Sequence, residues 1–386
     1  MKKHIALTAA LLLALTGCNA TQNDSINVPS PVSSGNSSTT KDSPADSSDH
    51  PTASESTTNS APDSTPDNTP DSIPESSSDK PEKPAGNDVH QGGEMSDKVF
   101  VLSDGRAIDL YGGGYERGAN YARSLNTVKA FVGDQVNVFS LVAPTAVSFY
   151  LPEEYSYMTG SEWDNIDYIN ENLSGVIPVD AYTALSRHVN EDIYFRTDHH
   201  WQPLGAYYAA EEFAMTAQVP FAPLSDYEAV SLEGYVGTMY GYSGENPLVR
   251  DNPDVFTYYK PKNEYTVTYY TQSLENPYEA GMFLSGLEYM ATSLWYTVFF
   301  GGDGEVEHIH TDVGNGRKLV IVKDSYGNAL APCLTGSFED IWVLDMRGFE
   351  KSISELVKNE GLTDVLFCMN SFSATGNNQY ELESKL

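Results

Sequence analysis

Lys318-Leu319-Val320-Ile321-Val322-Lys323-Asp324-Ser325-Tyr326-Gly327 is the stretch that decides the fold. Its continuous apolar run is the pattern of a strand buried on both faces, as in a parallel sheet covered by helices. Lys323 to Gly327 forms the turn, and Asn328 to Leu334 begins a helix. Two further strands follow, Asp340 to Asp345 and Thr363 to Met369, separated by a helix over Ser352 to Glu360 that Gly361 ends. Strand, helix, strand, helix, strand at this spacing predicts a parallel sheet with crossover helices. Ligand sites in such sheets lie at the carboxyl ends of the strands. Ser325 sits at one such end and Asn370 at another. A serine there can be a helix N-cap. It can equally be a nucleophile whose oxyanion meets backbone N–H groups.

A nucleophilic serine needs a base, and the chain offers one upstream. Tyr194-Phe195-Arg196-Thr197-Asp198-His199-His200-Trp201 places a carboxylate and two imidazoles side by side, then runs into a helix that Pro203 opens at its first turn. In an extended segment, residues two apart share a face, so Asp198 and His200 are expected together and His199 opposite. A carboxylate on one imidazole nitrogen selects the tautomer and raises the basicity of the other. The plainer alternative is a structural histidine pair at a helix start.

Arg196-Thr197-Asp198-His199-His200-Trp201, followed by Pro203, Gly205 and Ala206, resembles the Thr-Asp-x-His-Trp signature of the alginate O-acetylation proteins and their SGNH-hydrolase-like relatives. The doubled histidine is similar to bacterial surface proteins named for an Asp-His-His-Trp motif. The resemblance covers roughly the last three-quarters of the chain. It implies an α/β fold, an SGNH-hydrolase-like parallel sheet flanked by helices, and a Ser-His-Asp triad of Ser325, His200 and Asp198. Asp198, His200 and then Ser325 is the permuted order of the alginate acetylation relatives. Asn370, Tyr326, Arg196 and Trp201 are the candidate oxyanion and substrate contacts. Two departures stand out: Lys323 replaces the glycine usual before Asp-Ser, and no Gly-x-Asn-Asp block is present. The implied chemistry is O-acyl transfer or ester hydrolysis on an extracellular or cell-wall polysaccharide, with no cofactor. A membrane-bound O-acyltransferase as acyl supplier is implied in the same way. Two other readings compete. An Asp-His-His metal site of the phosphoesterase kind lacks the further Asp and His motifs that chemistry needs. A non-catalytic surface glycan-binding lipoprotein would fit the tyrosines of the middle region.

Lys2-Lys3, the apolar run Ile5 to Leu15, and Leu15-Thr16-Gly17-Cys18 read as an export signal with a lipobox over residues 1–18. The run is shorter than the about 20 residues that span a bilayer. Cleavage before Cys18, lipidation of its sulfur and anchorage to the outer face of the cell membrane are therefore expected. Residues 19–97 are rich in Ser, Thr, Pro and Asp without apolar periodicity, the composition of a disordered tether. The formal net charge of −32 argues against nucleic acid as a partner. The folded region is expected over 98–386. It opens with a strand or hairpin over Met95 to Leu110. Helices are predicted over Tyr115 to Val132, Asp164 to Asn172 and Leu204 to Gln218, and strands over Gln135 to Ala143 and Val176 to Tyr182. Residues 227–311 carry recurrent tyrosines and short alternating runs, a partly β insertion. His308-x-His310 with Asp312 is a weak metal pattern, and no metal is assigned. Cys333 and Cys368 are read as free buried thiols.

Overall fold

The computed structural model describes residues 92–385. The export-type segment, Cys18 and most of the tether lie outside the described residues. The described chain opens with a small antiparallel sheet, β1 (Gly93–Ser96), β2 (Val99–Leu102) and β3 (Ala107–Ile108). Strand structure thus begins slightly ahead of residue 98. There follow α1 (Tyr115–Val132), β4 (Asn137–Ala143), α2 (Ala146–Tyr150), α3 (Glu162–Glu171), β5 (Ile177–Val179), α4 (Ala181–Ser186) and α5 (Pro203–Ala217). An antiparallel ribbon of β6 (Tyr227–Tyr235) and β7 (Asp254–Pro261) encloses α6 (Met239–Tyr242) and α7 (Pro247–Arg250). The chain then runs through β8 (Tyr265–Tyr270), β9 (Tyr278–Glu279), β10 (Val306–Thr311), β11 (Lys318–Lys323) and α8 (Tyr326–Leu330). It finishes with β12 (Asp340–Asp345), α9 (Ile353–Glu360), β13 (Asp364–Asn370), α10 (Ser371–Thr375) and α11 (Asn378–Glu383).

The large sheet has the order β5-β4-β13-β11-β12-β10-β8-β9. Its first five strands are parallel, and β10, β8 and β9 continue it antiparallel. The tyrosine-rich stretch 227–311 is therefore divided: the β6–β7 ribbon is a separate pair, whereas β8 to β10 extend the core sheet. Leu319, Val320, Ile321 and Val322 of β11 are fully buried, as are Val365 to Met369 of β13, which explains their unbroken apolar runs. From β11 the chain moves to β12 on one side, then crosses to β13 on the other. The carboxyl ends of β11 and β13 therefore flank a topological switch point, where an open α/β sheet leaves a crevice. Two groups of helices flank the sheet, α1 with α3, α9, α10 and α11, and α5 with α4 and α8.

Local chemistry sets the element ends. Ser161 caps α3 by accepting from Asp164 N–H, Asp180 caps α4 from Thr183 N–H, and Ser352 caps α9 from Glu355 N–H. Gly361 ends α9 at φ 62°, a left-handed conformation that glycine adopts without a Cβ penalty. The helix after β11 is shorter than its apolar pattern suggests. α8 stops at Leu330 and tightens into a 3-10 turn over Ala331–Leu334, where Pro332 supplies no N–H.

Ionic groups lock the sheet. Arg317 grips Asp364 through two bonds of 2.7 and 2.6 Å, joining the starts of β11 and β13. His308 and His310 both reach Asp340 Oδ1 at 2.9 Å, while Lys318 pairs with its other oxygen. Asp312 takes no part, so the His-x-His pattern is a cross-strand contact. Cys333 and Cys368 are free and buried. Glu307, the second residue of β10, is 1% exposed, and its Oε1 has no hydrogen-bond partner among the described residues. Burial pushes its carboxyl well above the ordinary range, and Asp303, Glu305 and Asp345 add to this against the opposing Lys323. A raised folded-state pKa gives stability that is fully present below the unfolded pKa and is lost as pH rises through the folded one. Glu307→Gln should therefore raise the melting temperature at neutral pH. That gain should vanish below about pH 4, where glutamate is protonated in both states. Thermal unfolding of both proteins across pH checks it; a Gln variant less stable at every pH would contradict it.

Candidate active site

Three segments meet at the carboxyl edge of the sheet. The first, from Tyr194 to Trp201, is a bent loop rather than an extended strand. An antiparallel bridge between Tyr194 and Trp201 closes it, and residues 196–200 are bends. The extended geometry expected above is therefore corrected. Asp198 and His200 still meet because Asp198 Oδ1 accepts from the His200 N–H at 3.1 Å, an Asx-type turn that also folds residue i onto i+2. The surrounding chain holds this loop from several sides. Asp254 accepts from the N–H groups of Arg196 and Thr197 and from the Thr197 hydroxyl. Ala107 of β3 donates to Arg196 O, and Met239 of α6 donates to Thr197 O. Arg106 reaches Phe195 O at 3.1 Å. The small N-terminal sheet thus serves as the support of the loop.

Ser325 stands between β11 and α8 at the N-cap position, yet its side chain makes no capping bond. Asp324 does that work: its Oδ1 accepts from Tyr326 N–H at 2.9 Å, and its Oδ2 accepts from Asn370 N–H at 2.9 Å. Asp324 therefore ties the ends of β11 and β13 together and leaves the serine hydroxyl unspent. Ser325 Oγ lies 2.8 Å from His200 Nε2, and His200 Nδ1 lies 2.6 Å from Asp198 Oδ1. With Nδ1–H donating to the carboxylate, Nε2 is the acceptor that faces the serine hydroxyl. Asp198 Oδ2 accepts from Thr238 N–H at 2.8 Å and from its hydroxyl at 2.9 Å. Burial opposes the charge of Asp198, but the adjacent His199 and His200, with the His200 and Thr238 bonds, outweigh it and hold the carboxyl well below the usual range. The His200 ring is clamped: Tyr296 stacks on it at 3.8 Å with planes 8° apart, and His199 lies 3.9 Å away. Gly237 packs so tightly on Asp198 that a Cβ there would sit 2.4 Å from its carboxylate.

The remaining candidate contacts separate. Asn370 is half-buried, and its Oδ1 caps α10 by accepting from Ser373 N–H. Its amide nitrogen is the donor it still has to offer. Tyr326 is corrected: its ring is fully buried, its hydroxyl donates to His199 O at 2.7 Å, and its N–H is taken by Asp324. Trp201 is also corrected, being fully buried with Nε1 donating to Tyr326 O. Arg196 spends its guanidinium on Asp254 and Pro253 O, so it braces the loop. Lys323, the unusual residue before Asp-Ser, is buried with Nζ 2.7 Å from Asp303 and 3.2 Å from Asp345, and Gly327 lies against its stem.

Sequence reasoning missed Thr238, Tyr296 and Glu162. Buried Glu162 accepts from Thr145 N–H at 2.9 Å and from the hydroxyls of Thr145, Ser148 and Ser371, fixing the chain on either side of the crevice. These residues come from distant segments without a local motif, and only the Asp198 loop itself signalled that its carboxylate needed partners. Asp198, His199 and His200 are close enough to offer three ligand atoms to a metal. Both Asp198 oxygens and His199 Nδ1 are already engaged in the bonds described, which suits a proton-transfer arrangement better. Beside Thr238 opens a cleft of about 780 Å³, lined by Gly237, Tyr240, Tyr242, Arg250 and Thr292 among others.

The sheet and its edge define an SGNH-hydrolase-like α/β domain with serine, histidine and aspartate in one hydrogen-bonded line. The chain belongs to the DHHW protein family, whose model matches residues 47–344. A DHHW family protein from Eubacterium siraeum is 45% identical, with TM-score 0.73, covering 78% of this chain and 99% of that one. Bacillus cereus PatB1, solved with a sulfonyl adduct, is 20% identical with TM-score 0.60, covering 76% of this chain and 98% of its own. The O-acetyltransferase domain of Pseudomonas putida AlgJ aligns over 76% of this chain and 99% of its own, at 11% identity and TM-score 0.40. No curated protein matches the chain.

Proposed function

We propose that this protein is a cell-surface carbohydrate O-acyltransferase, with acetyl as the group moved and ester hydrolysis as the competing outcome when water replaces the acceptor. The observation that carries the reading is the line from Ser325 Oγ to His200 Nε2 at 2.8 Å and from His200 Nδ1 to Asp198 at 2.6 Å. His200 takes the Ser325 proton as Oγ attacks the acyl carbonyl, and Asp198 stabilises the imidazolium that forms. The proton then passes to the departing oxygen, leaving an acyl-serine. A sugar hydroxyl, giving its proton to His200, attacks this ester, and His200 returns that proton to Ser325 Oγ as the bond between the acyl carbon and the serine oxygen breaks. Ser325 N–H and the Asn370 amide are the donors for the tetrahedral oxyanion, since Tyr326 N–H is committed to Asp324. The cleft beside Thr238, with Tyr240 and Tyr242 on its wall, offers aromatic surface that suits the apolar faces of sugar rings, and its lining does not include Ser325 or His200. The Bacillus cereus neighbour of the same fold was solved with a sulfonyl adduct, which accords with this reading. The lipobox of residues 1–18 supports anchorage on the outer membrane face, within reach of a wall or capsular polymer and of a membrane-bound O-acyltransferase as donor.

The test is a chromogenic acetyl ester assay with purified protein, run with and without oligosaccharides. Ester cleavage with acetylated sugar as product is the expected result. Cleavage without sugar product at any acceptor concentration would reduce the reading to an esterase, and no cleavage by a folded protein would remove it.

A further inference from the structure

The mechanism uses one of two adjacent histidines, and the geometry gives the other a distinct task. His199 Nδ1 lies 2.8 Å from Thr238 Oγ1, and that same Oγ1 lies 2.9 Å from Asp198 Oδ2. A threonine hydroxyl has one hydrogen. The carboxylate can only accept, so the Thr238 hydrogen points to Asp198 and Oγ1 must accept from His199. His199 is thereby fixed as the Nδ1–H form. We infer that His199 is a positioning residue for Asp198, acting through Thr238 in a directed chain, His199 N–H to Thr238 O–H to Asp198 Oδ2, that orients Oδ1 toward His200.

Three further observations bear on it. Without a donor on Oγ1, the Thr238 hydroxyl could rotate and serve other acceptors, whereas the His199 N–H both directs and polarises it. The Thr238 N–H holds Oδ2 independently, so the chain adjusts the carboxylate rather than merely tethering it. Burial and the neighbouring His200 lower the tendency of His199 to take a second proton, against the opposing Asp198, Asp109 and Asp324, which keeps a competing cation off the His200 ring.

The inference rests on the acyl-enzyme reading, and the test separates the two. Wild type is first shown to react with a sulfonyl fluoride at Ser325; if it does not, both fall. Steady-state kinetics on an acetyl ester then compare His199→Ala, His199→Asn, His199→Gln, Thr238→Val and the Ala/Val double variant. The side-chain amide of Asn can place its N–H where Nδ1 stood, whereas that of Gln extends to the Nε2 position. His199→Ala, His199→Gln and Thr238→Val should each lower kcat about tenfold to a hundredfold with KM little changed. His199→Asn should recover most of that loss, and the double variant should be no worse than Thr238→Val alone. Losses that multiply in the double variant, equal behaviour of Asn and Gln, or a defect confined to KM would overturn the inference while leaving the Ser325 labelling intact.

Discussion

His200→Ala loses turnover of a small acetyl ester by on the order of 10⁴-fold or more, whereas His199→Ala loses at most about a hundredfold. The difference follows from which imidazole faces the nucleophile. His200 Nε2 is 2.8 Å from Ser325 Oγ, and no other base is bonded to that hydroxyl among the described residues. Removing it leaves an ordinary serine, since an alcohol is a weak nucleophile at neutral pH without an adjacent base. His199 instead bonds Thr238 and packs against the His200 ring, and it makes no bond to Ser325 among the described residues. Far-ultraviolet circular dichroism of both variants guards against unfolding. A dead His199→Ala beside an active His200→Ala would reverse the assignment.

Asp198→Asn should keep the fold and lose turnover on the order of 10³-fold to 10⁴-fold, mainly in kcat. Among the described residues the aspartate makes no hydrogen bond to Ser325; its two oxygens hold the His200 Nδ1–H and N–H and the two donors of Thr238. An asparagine amide can satisfy one of these sets as acceptor, but its NH₂ then opposes a donor on the other. If the oxygen stays on Thr238, the amide nitrogen donates to His200 Nδ1 and forces the proton onto Nε2, so the base faces Ser325 with the wrong tautomer. Kinetics with and without added imidazole-type nucleophiles, alongside thermal melts, read this directly. An Asn variant within tenfold of wild type would show that the carboxylate does not set the tautomer.

The parts legible in the sequence were those written locally. Leu319 to Val322 and Val365 to Met369 are apolar without interruption because helices cover both faces of the sheet, and Ser352 and Gly361 mark the ends of α9 by capping chemistry. The pairing of Asp198 with His200 is legible too: two-residue spacing brings side chains together in an extended strand and also in an Asx turn, and the chain uses the turn. Roles for Arg196, Trp201 and Tyr326 were misassigned because motif proximity does not reveal burial. Trp201 and Tyr326 are packed away beneath the site, and Arg196 is consumed by Asp254, a residue of β7 with no sequence link to the motif. Thr238, Tyr296 and Gly237 were illegible for the same physical reason. Each meets the loop only after the β6–β7 ribbon and the stretch that follows have folded against it.

The central claim is an acyl group carried on Ser325. Rapid quenching of the protein with an activated acetyl ester, followed by proteolysis and mass spectrometry, tests it most directly. The account predicts one acetyl group on the peptide bearing Ser325, accumulating in wild type, absent from Ser325→Ala, and discharged when a sugar acceptor is added. Acetyl transfer that proceeds undiminished in Ser325→Ala, or an acetyl group on Ser371 instead, would contradict it.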